Sequence, residues 1–365
     1  MITKNKTVAM ILGLAVLSLV LAACGSSSTN SNTTASASAT ISGAGSTFAA
    51  PVYEQWGSPS SGLGLTVNYQ AVGSGAGITA LEGKTVDFGA SDPPLKAEEE
   101  TALGKVGEPV QIPMFLGAIT VSYNLPGVKT GLKLDGTTVA DIYLGKIKTW
   151  DDPAIKALNP GVSLPSTAIT VIHRSDSSGT SAGFTGFLAA VDPEWLKKVG
   201  PASKEPAWPT GTGAKGNAGV AGAVAQTTGA IGYVEQAYAL QHNFTYASVK
   251  NKAGNFVAPS LASTTAAAEG IVVPANLGFK IKNPSSPQAY PITSQTFIMV
   301  YKDMCKAGVP GGKAAAEGVV KFLNYGLGAG QAILSKADYA ALPASILAKS
   351  KEAVAGLQCE GSPLS

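Results

Sequence analysis

An α/β fold is what the chain predicts, on three observations. Short β-rich segments alternate with helical ones, the order expected of strands whose sheet is covered by helices. Hydrophobic residues make up 45% of the 365, enough to bury a sizeable core. The loops after the strands concentrate Gly, Ser and Thr, and such loops are where ligands settle in open α/β sheets. Charge argues against rival classes. Only 13% of residues are charged and the net charge is +3, too little for a protein that lives on nucleic-acid phosphates. Two histidines and three cysteines exclude a His-rich metal site and a Cys₄ zinc site.

In chain order, the first segment is an address. Lys4 and Lys6 precede a nearly unbroken apolar run from Val8 to Val20, short for a membrane span of roughly 20 residues and right for a secretory leader. Leu21-Ala22-Ala23-Cys24 follows. Small residues before a Cys there look like a bacterial lipobox. Residues 1–23 are therefore expected to be a signal peptide, cleaved before Cys24, with Cys24 lipidated (palmitate included). Residues 24–40, mostly Ser, Thr, Asn and Ala, cannot bury apolar surface and are expected to be a disordered tether on the outer face of the cell membrane. That compartment is oxidising. Cys305 and Cys359 then either pair or lie as two buried thiols; pairing is the expectation.

The folded elements follow. Leu65–Gln70 reads as a strand, Ile78–Glu82 as a helix, and Val86–Ala90 as a second strand. Met114–Tyr123 is a strand pair or one long strand, Ala168–His173 a strand, and Gly183–Val191 a helix. Four loops or helix starts among them are rich in hydroxyl residues and Gly: residues 43–48, 73–75, 91–92 and 174–180. Gly lets backbone approach a ligand closely. A helix beginning after Ser or Thr offers free N–H groups and the positive end of its dipole. Four such loops with one arginine, Arg174, predict a small oxyanion bound between domains.

Rival motifs are present. Gly179-Thr180-Ser181-Ala182-Gly183 matches the G-x-S-x-G nucleophile pattern. A serine hydrolase using Ser181 would need His242, the one later histidine, as base. Arg174, Asp176, Ser178 and Thr180 are not what an esterase requires. The G-x-G-x-x-G of residues 211–216 follows Trp208-Pro209-Thr210 rather than an apolar strand, which argues against a dinucleotide site. His173 and the four tryptophans read as structural.

The chain resembles the substrate-binding protein of the high-affinity bacterial phosphate ABC transporter. The stretches that carry the resemblance include Gly43-Ala44-Gly45-Ser46-Thr47-Phe48, Val86-Asp87-Phe88-Gly89-Ala90-Ser91-Asp92, Arg174-Ser175-Asp176-Ser177-Ser178-Gly179-Thr180, Lys215-Gly216-Asn217 and Gly229-Ala230-Ile231-Gly232-Tyr233-Val234-Glu235. They occur in one order across residues 41–345. The resemblance implies a type II periplasmic-binding-protein fold, two α/β lobes joined by a two-strand hinge. Lobe one would take residues 41–113 and 291–365, lobe two residues 114–290. It implies a phosphate site in which Thr47 gives a hydroxyl and Phe48 a backbone N–H, and Ser74 gives both donors. Asp92 accepts a proton from the ligand. Arg174, oriented by Asp176, is the charged donor, and Ser178, Gly179 and Thr180 wrap the remaining oxygens. Arsenate would compete. It further implies no catalysis, no cofactor, a monomer, and a membrane permease as partner. A surface phosphate sensor or adhesin on the same fold is the other class.

Overall fold

The structure, a computed structural model, describes residues 39–364; the leader, Cys24 and nearly all of the expected tether lie outside the described residues. The tether's last two residues do not: Ala39 and Thr40 pair with Leu65 and Thr66. A sheet of nine described strands organises the body. Strands β1 (Ala39–Gly45), β2 (Leu65–Ala71), β3 (Phe88–Ser91), β4 (Pro109–Tyr123), β5 (Thr170–Arg174), β6 (Thr212–Ala214), β7 (Ala230–Glu235), β8 (Thr245–Tyr246) and β9 (Thr293–Tyr301) belong to it. The order is β2-β1-β3-β9-β4-β7-β5-β6, with β8 beside β4.

Parallel pairs hold each end: β1 with β2 and β3, β5 with β6 and β7. Such pairs need helical crossovers. Helices α1 (Ala50–Gly57), α2 (Ser74–Glu82) and α3 (Ala97–Gly104) follow β1, β2 and β3; α4 (Gly179–Val191), α5 (Gly216–Gln226) and α6 (Gln236–Gln241) follow β5, β6 and β7. The middle is antiparallel. β4 is one strand of 15 residues: its first part pairs with β9, and its last five residues pair with β7. One strand thus runs through both halves of the sheet. β4 and β9 are buried almost throughout, which explains why Met114–Tyr123 reads as continuously apolar rather than alternating.

Aromatic side chains fill the core of the first half. Tyr53 and Trp56 of α1 meet Phe115 and Phe322 edge-to-face, with ring centroids 5.6–6.0 Å apart. In the second half Trp208 stacks on His173 and on Tyr233, and a smaller cluster of Ile172, Val220, Val224 and Val234 packs α5 on the sheet. Each such fully buried side chain contributes about 1.5–3 kcal/mol. Cys305 and Cys359 form a disulfide, with Cα atoms 4.8 Å apart, tying the segment after β9 to the C-terminal hairpin. No helix among the described residues is long and apolar enough to cross a membrane.

Candidate functional site

The ends of β1, β2, β3 and β5 converge, and the turns and helix starts that follow them meet. Two helices begin earlier than the sequence suggests, and this builds the site. α2 starts at Ser74 rather than Ile78, and α4 at Gly179 rather than Gly183. Gly73 precedes α2 with φ +100°, a backbone conformation open to Gly. Ser178 caps α4, its Oγ accepting from the Ser181 N–H at 3.0 Å. The first N–H groups of a helix have no partner within it, so Ser74, Gly179 and Thr180 face the site with N–H groups and positive dipole ends.

Asp92 follows β3 and is 1% exposed. Its Oδ1 is filled by two hydroxyls, Ser46 Oγ at 2.5 Å and Thr296 Oγ1 at 2.9 Å. A register shift between Thr296 and Phe297 in β9 accompanies this contact; such irregularities re-aim side chains. Its Oδ2 has only the long contact to Ser74 Oγ, 3.5 Å, and faces Gly179, where a Cβ would overlap it. Burial raises the Asp92 carboxyl to about 6, against the lowering by Ser46, Thr296, Arg174 and Ser74.

Arg174, at the end of β5, is 3% exposed. Its Nε and Nη2 donate to the two oxygens of Asp176 at 2.7 and 2.5 Å, and its Nη1 donates to Thr180 Oγ1 at 3.3 Å. Five N–H donors less these three leave two for a ligand. Burial acts to raise the Asp176 carboxyl, but the Arg174 guanidinium and the Gly216 N–H outweigh it and hold the carboxyl below its usual value. The fork is thus both aimed and kept charged.

Every residue expected to bind the anion is brought together. Thr47 joins through Asn217, whose Nδ2 donates to Thr47 Oγ1 at 2.9 Å and to Thr180 Oγ1 at 3.1 Å. Ser74 and Asp92 meet Gly179; Arg174 reaches Thr180; Ser178 caps the same helix. Phe48 is buried, and its N–H has no partner among the described residues. Five contributors were not assigned a role from sequence: Ser46, Thr296, Asn217, and Tyr238 and Tyr339, which donate to the carbonyls of Thr47 and Phe48 at 2.8 and 2.7 Å. Asn217 lies in a quoted motif at the start of α5, so its place was visible and its use was not.

The hydrolase arrangement is not formed. Ser181 Oγ pairs with the Tyr233 hydroxyl at 2.6 Å. His242 stacks on Phe244, and His173 pairs with the Arg174 carbonyl. Ser181 therefore has no imidazole base.

Parallel-ended halves bridged by long antiparallel strands, with a buried cluster of hydroxyls, helix-start N–H groups, one arginine and one free-facing carboxylate at the strand ends, fit the PBP superfamily, whose domain model matches residues 30–328. Within it, the chain belongs to the family of phosphate-binding proteins PstS. It is 42% identical to the phosphate-binding protein PstS of Pasteurella multocida over 85% of this chain and 88% of that one. It is 41% identical to that of Haemophilus influenzae over 86% and 91%. Among solved structures it is similar to a phosphate-binding protein from Stenotrophomonas maltophilia, with TM-score 0.68 and 22% identity over 86% of this chain and 93% of that one.

Proposed function

We propose that the protein binds inorganic phosphate outside the cell membrane, in the pocket formed by Thr47, Phe48, Ser74, Asp92, Arg174, Ser178, Gly179 and Thr180, and delivers it to an ABC permease for import. The supporting observation is a buried carboxylate in a site otherwise made of donors: Asp92 Oδ2 has the long contact from Ser74 Oγ, 3.5 Å, and room to accept another proton. A fully ionised anion has no use for that oxygen, whereas HPO₄²⁻ and H₂PO₄⁻ both carry an O–H for it. The two spare Arg174 donors supply charge-assisted bonds, and helix-start N–H groups take the remaining oxygens. The relatives are phosphate-binding proteins by name, in agreement with this ligand.

The proposed lobes are residues 41–113 with 291–365, and 114–290, with β4 and β9 crossing between them. Cys24 is the proposed lipid anchor, a monomer the proposed form, and arsenate a competitor because it has the same protons and shape. Binding rather than catalysis is the output, since a closed, liganded form is what a permease can recognise. Calorimetric titration with phosphate and sulfate tests the reading. Tight phosphate binding with weak sulfate binding supports it; equal affinities defeat it.

A further inference from the structure

Glu235 ends β7 and is fully buried, and the anion pocket does not call on it. Its Oε1 has no hydrogen-bond partner among the described residues. Its Oε2 accepts from the Ala237 N–H at 2.7 Å and meets the Tyr339 hydroxyl at 2.7 Å. The same hydroxyl lies 2.7 Å from the Phe48 carbonyl oxygen. A tyrosine hydroxyl has one proton to give, so it cannot serve both oxygens. If Glu235 were ionised and took that proton, the Phe48 carbonyl would face a bare oxygen, and Oε1 would bury charge without a donor. If Glu235 is protonated on Oε2, it donates to Tyr339 and Tyr339 donates to Phe48. Every short contact then holds a proton.

That polarity continues. The peptide that carries the Phe48 carbonyl ends in the Ala49 N–H, which donates to Ser46 Oγ at 3.0 Å. Ser46 Oγ in turn donates to Asp92 Oδ1 at 2.5 Å. Glu235, Tyr339, the Phe48–Ala49 peptide, Ser46 and Asp92 thus form one chain of donors pointing the same way. Bonds in such a chain polarise one another. Its far end is the carboxylate proposed to read the ligand's proton.

We propose that Glu235 is a positioning residue that stays protonated at neutral pH and, through Tyr339, holds the Thr47–Phe48 turn and the Ser46 bond to Asp92. The inference rests on the phosphate reading for its consequence, and on hydrogen-bond geometry for its substance. The surrounding groups agree with it. Burial pushes the Glu235 carboxyl well above the usual carboxylate range, against lowering by Tyr339 and by the N–H groups of Ala237 and Gln236; Asp338 adds to the raising. Tyr238 of α6 faces the same spot, and behind the two tyrosines lie Glu54, Asp92 and Arg174. All but Arg174 are acidic or neutral, so their field favours the proton. The sign follows: the bond is intact below the raised value and is lost as pH rises through it, leaving a second buried negative charge linked to Asp92.

The test uses infrared spectroscopy and calorimetry on the parent protein, Glu235→Gln, Glu235→Ala and Tyr339→Phe. At pH 7.5 the parent is expected to show the carbonyl stretch of a protonated carboxyl group that Glu235→Gln lacks. Glu235→Gln keeps a donor toward Tyr339 but its amide nitrogen cannot accept from the Ala237 N–H, and it is expected to bind phosphate about threefold more weakly than the parent. Glu235→Ala, which loses the Ala237 and Tyr339 contacts, and Tyr339→Phe, which loses the Glu235 and Phe48 contacts, should each bind at least about tenfold more weakly. As pH rises through the raised Glu235 value the parent should lose affinity relative to Glu235→Gln, since the ligand's and Asp92's own titrations are common to both. Absence of the protonated band, or equal weakness of Glu235→Gln and Glu235→Ala, overturns the proposal. The infrared arm needs neither ligand nor the alanine variant to fold. A parent that shows the band but binds no phosphate would defeat the functional reading alone.

Discussion

On the proposed reading, Asp92 sets what kind of anion the site can hold, because an ionised carboxylate only accepts hydrogen bonds. Phosphate offers it a proton; sulfate at neutral pH offers none and sets like charges together in a dry site, at a cost of several kcal/mol. Discrimination of about 10³-fold or more is expected at 1.4 kcal/mol per tenfold. The carboxyl is raised to about 6 by burial, so it is ionised above that pH and becomes a donor below it. The phosphate-to-sulfate affinity ratio should therefore be full at pH 7.5 and shrink as pH falls through 6 toward 5. Asp92→Asn, whose amide can donate, should show the small ratio at every pH. A ratio that ignores both changes would remove Asp92 from the recognition step. Arg174→Ala is expected to weaken phosphate binding by roughly 2–5 kcal/mol, as for loss of one partner of a buried charge pair. Its loss also strands Asp176, which is 11% exposed on its side chain. An affinity within threefold of the parent would place the anion elsewhere.

Helix starts carry the element-scale argument. At Gly179 a Cβ would overlap Asp92 Oδ2 and Ser74 Oγ, so α4 can bring its N-terminus to the carboxylate only with Gly there. Overpacking of this kind costs typically 1–3 kcal/mol. Gly179→Ala should therefore lose about tenfold or more in phosphate affinity, with its circular dichroism unchanged; parent-like binding would show that the helix end has room to shift. Strands β2 to β5, the α/β alternation and the four Gly/hydroxyl loops were legible from sequence, because apolar runs and Gly/hydroxyl clusters are local signals. The true starts of α2 and α4 were not, because Gly and Ser are weak helix formers and the first turn is held here by capping and by contacts from other loops. One such contact is the Gly75 N–H to the Ser177 carbonyl, 3.0 Å. The roles of Asn217, Tyr238 and Tyr339 were hidden for a further reason: their partners at residues 47–48 lie 170 or more positions away, and Glu235 meets Tyr339 across 104 positions. The disulfide is an element-scale clamp as well. It closes a separation of 54 residues, worth ~4 kcal/mol by the chain-entropy rule. Reduction, or Cys305→Ser with Cys359→Ser, should lower the urea midpoint while leaving phosphate affinity intact, since neither cysteine approaches the pocket loops.

Across the whole molecule, the proposed two-lobed reading makes binding and closure one equilibrium. The proposed lobes touch through groups that would never meet a ligand. Lys204 forms an ion pair with Glu99 of α3, the two side chains 7% and 20% exposed, and the Lys204 carbonyl accepts from the Ser178 N–H at 2.9 Å. The pair therefore fastens lobe one to the strap that carries the α4 cap. When the competent state is only partly populated, apparent affinity falls by that fraction. Weakening the latch lowers the closed population without changing any contact to the anion. Glu99→Gln is expected to weaken phosphate binding by about 3–10-fold, in keeping with a partly screened pair. Arsenate affinity should fall by the same factor, and the phosphate-to-sulfate ratio should stay at its parent value, because selectivity resides in Asp92. Loss should appear in the dissociation rate, where most affinity differences within one interface fall. Stopped-flow release of phosphate, with equilibrium titrations of all three anions, separates the cases. A change in the selectivity ratio would mean that Glu99 acts on the pocket itself. Unchanged affinity for every anion would mean that the cleft closes without the latch.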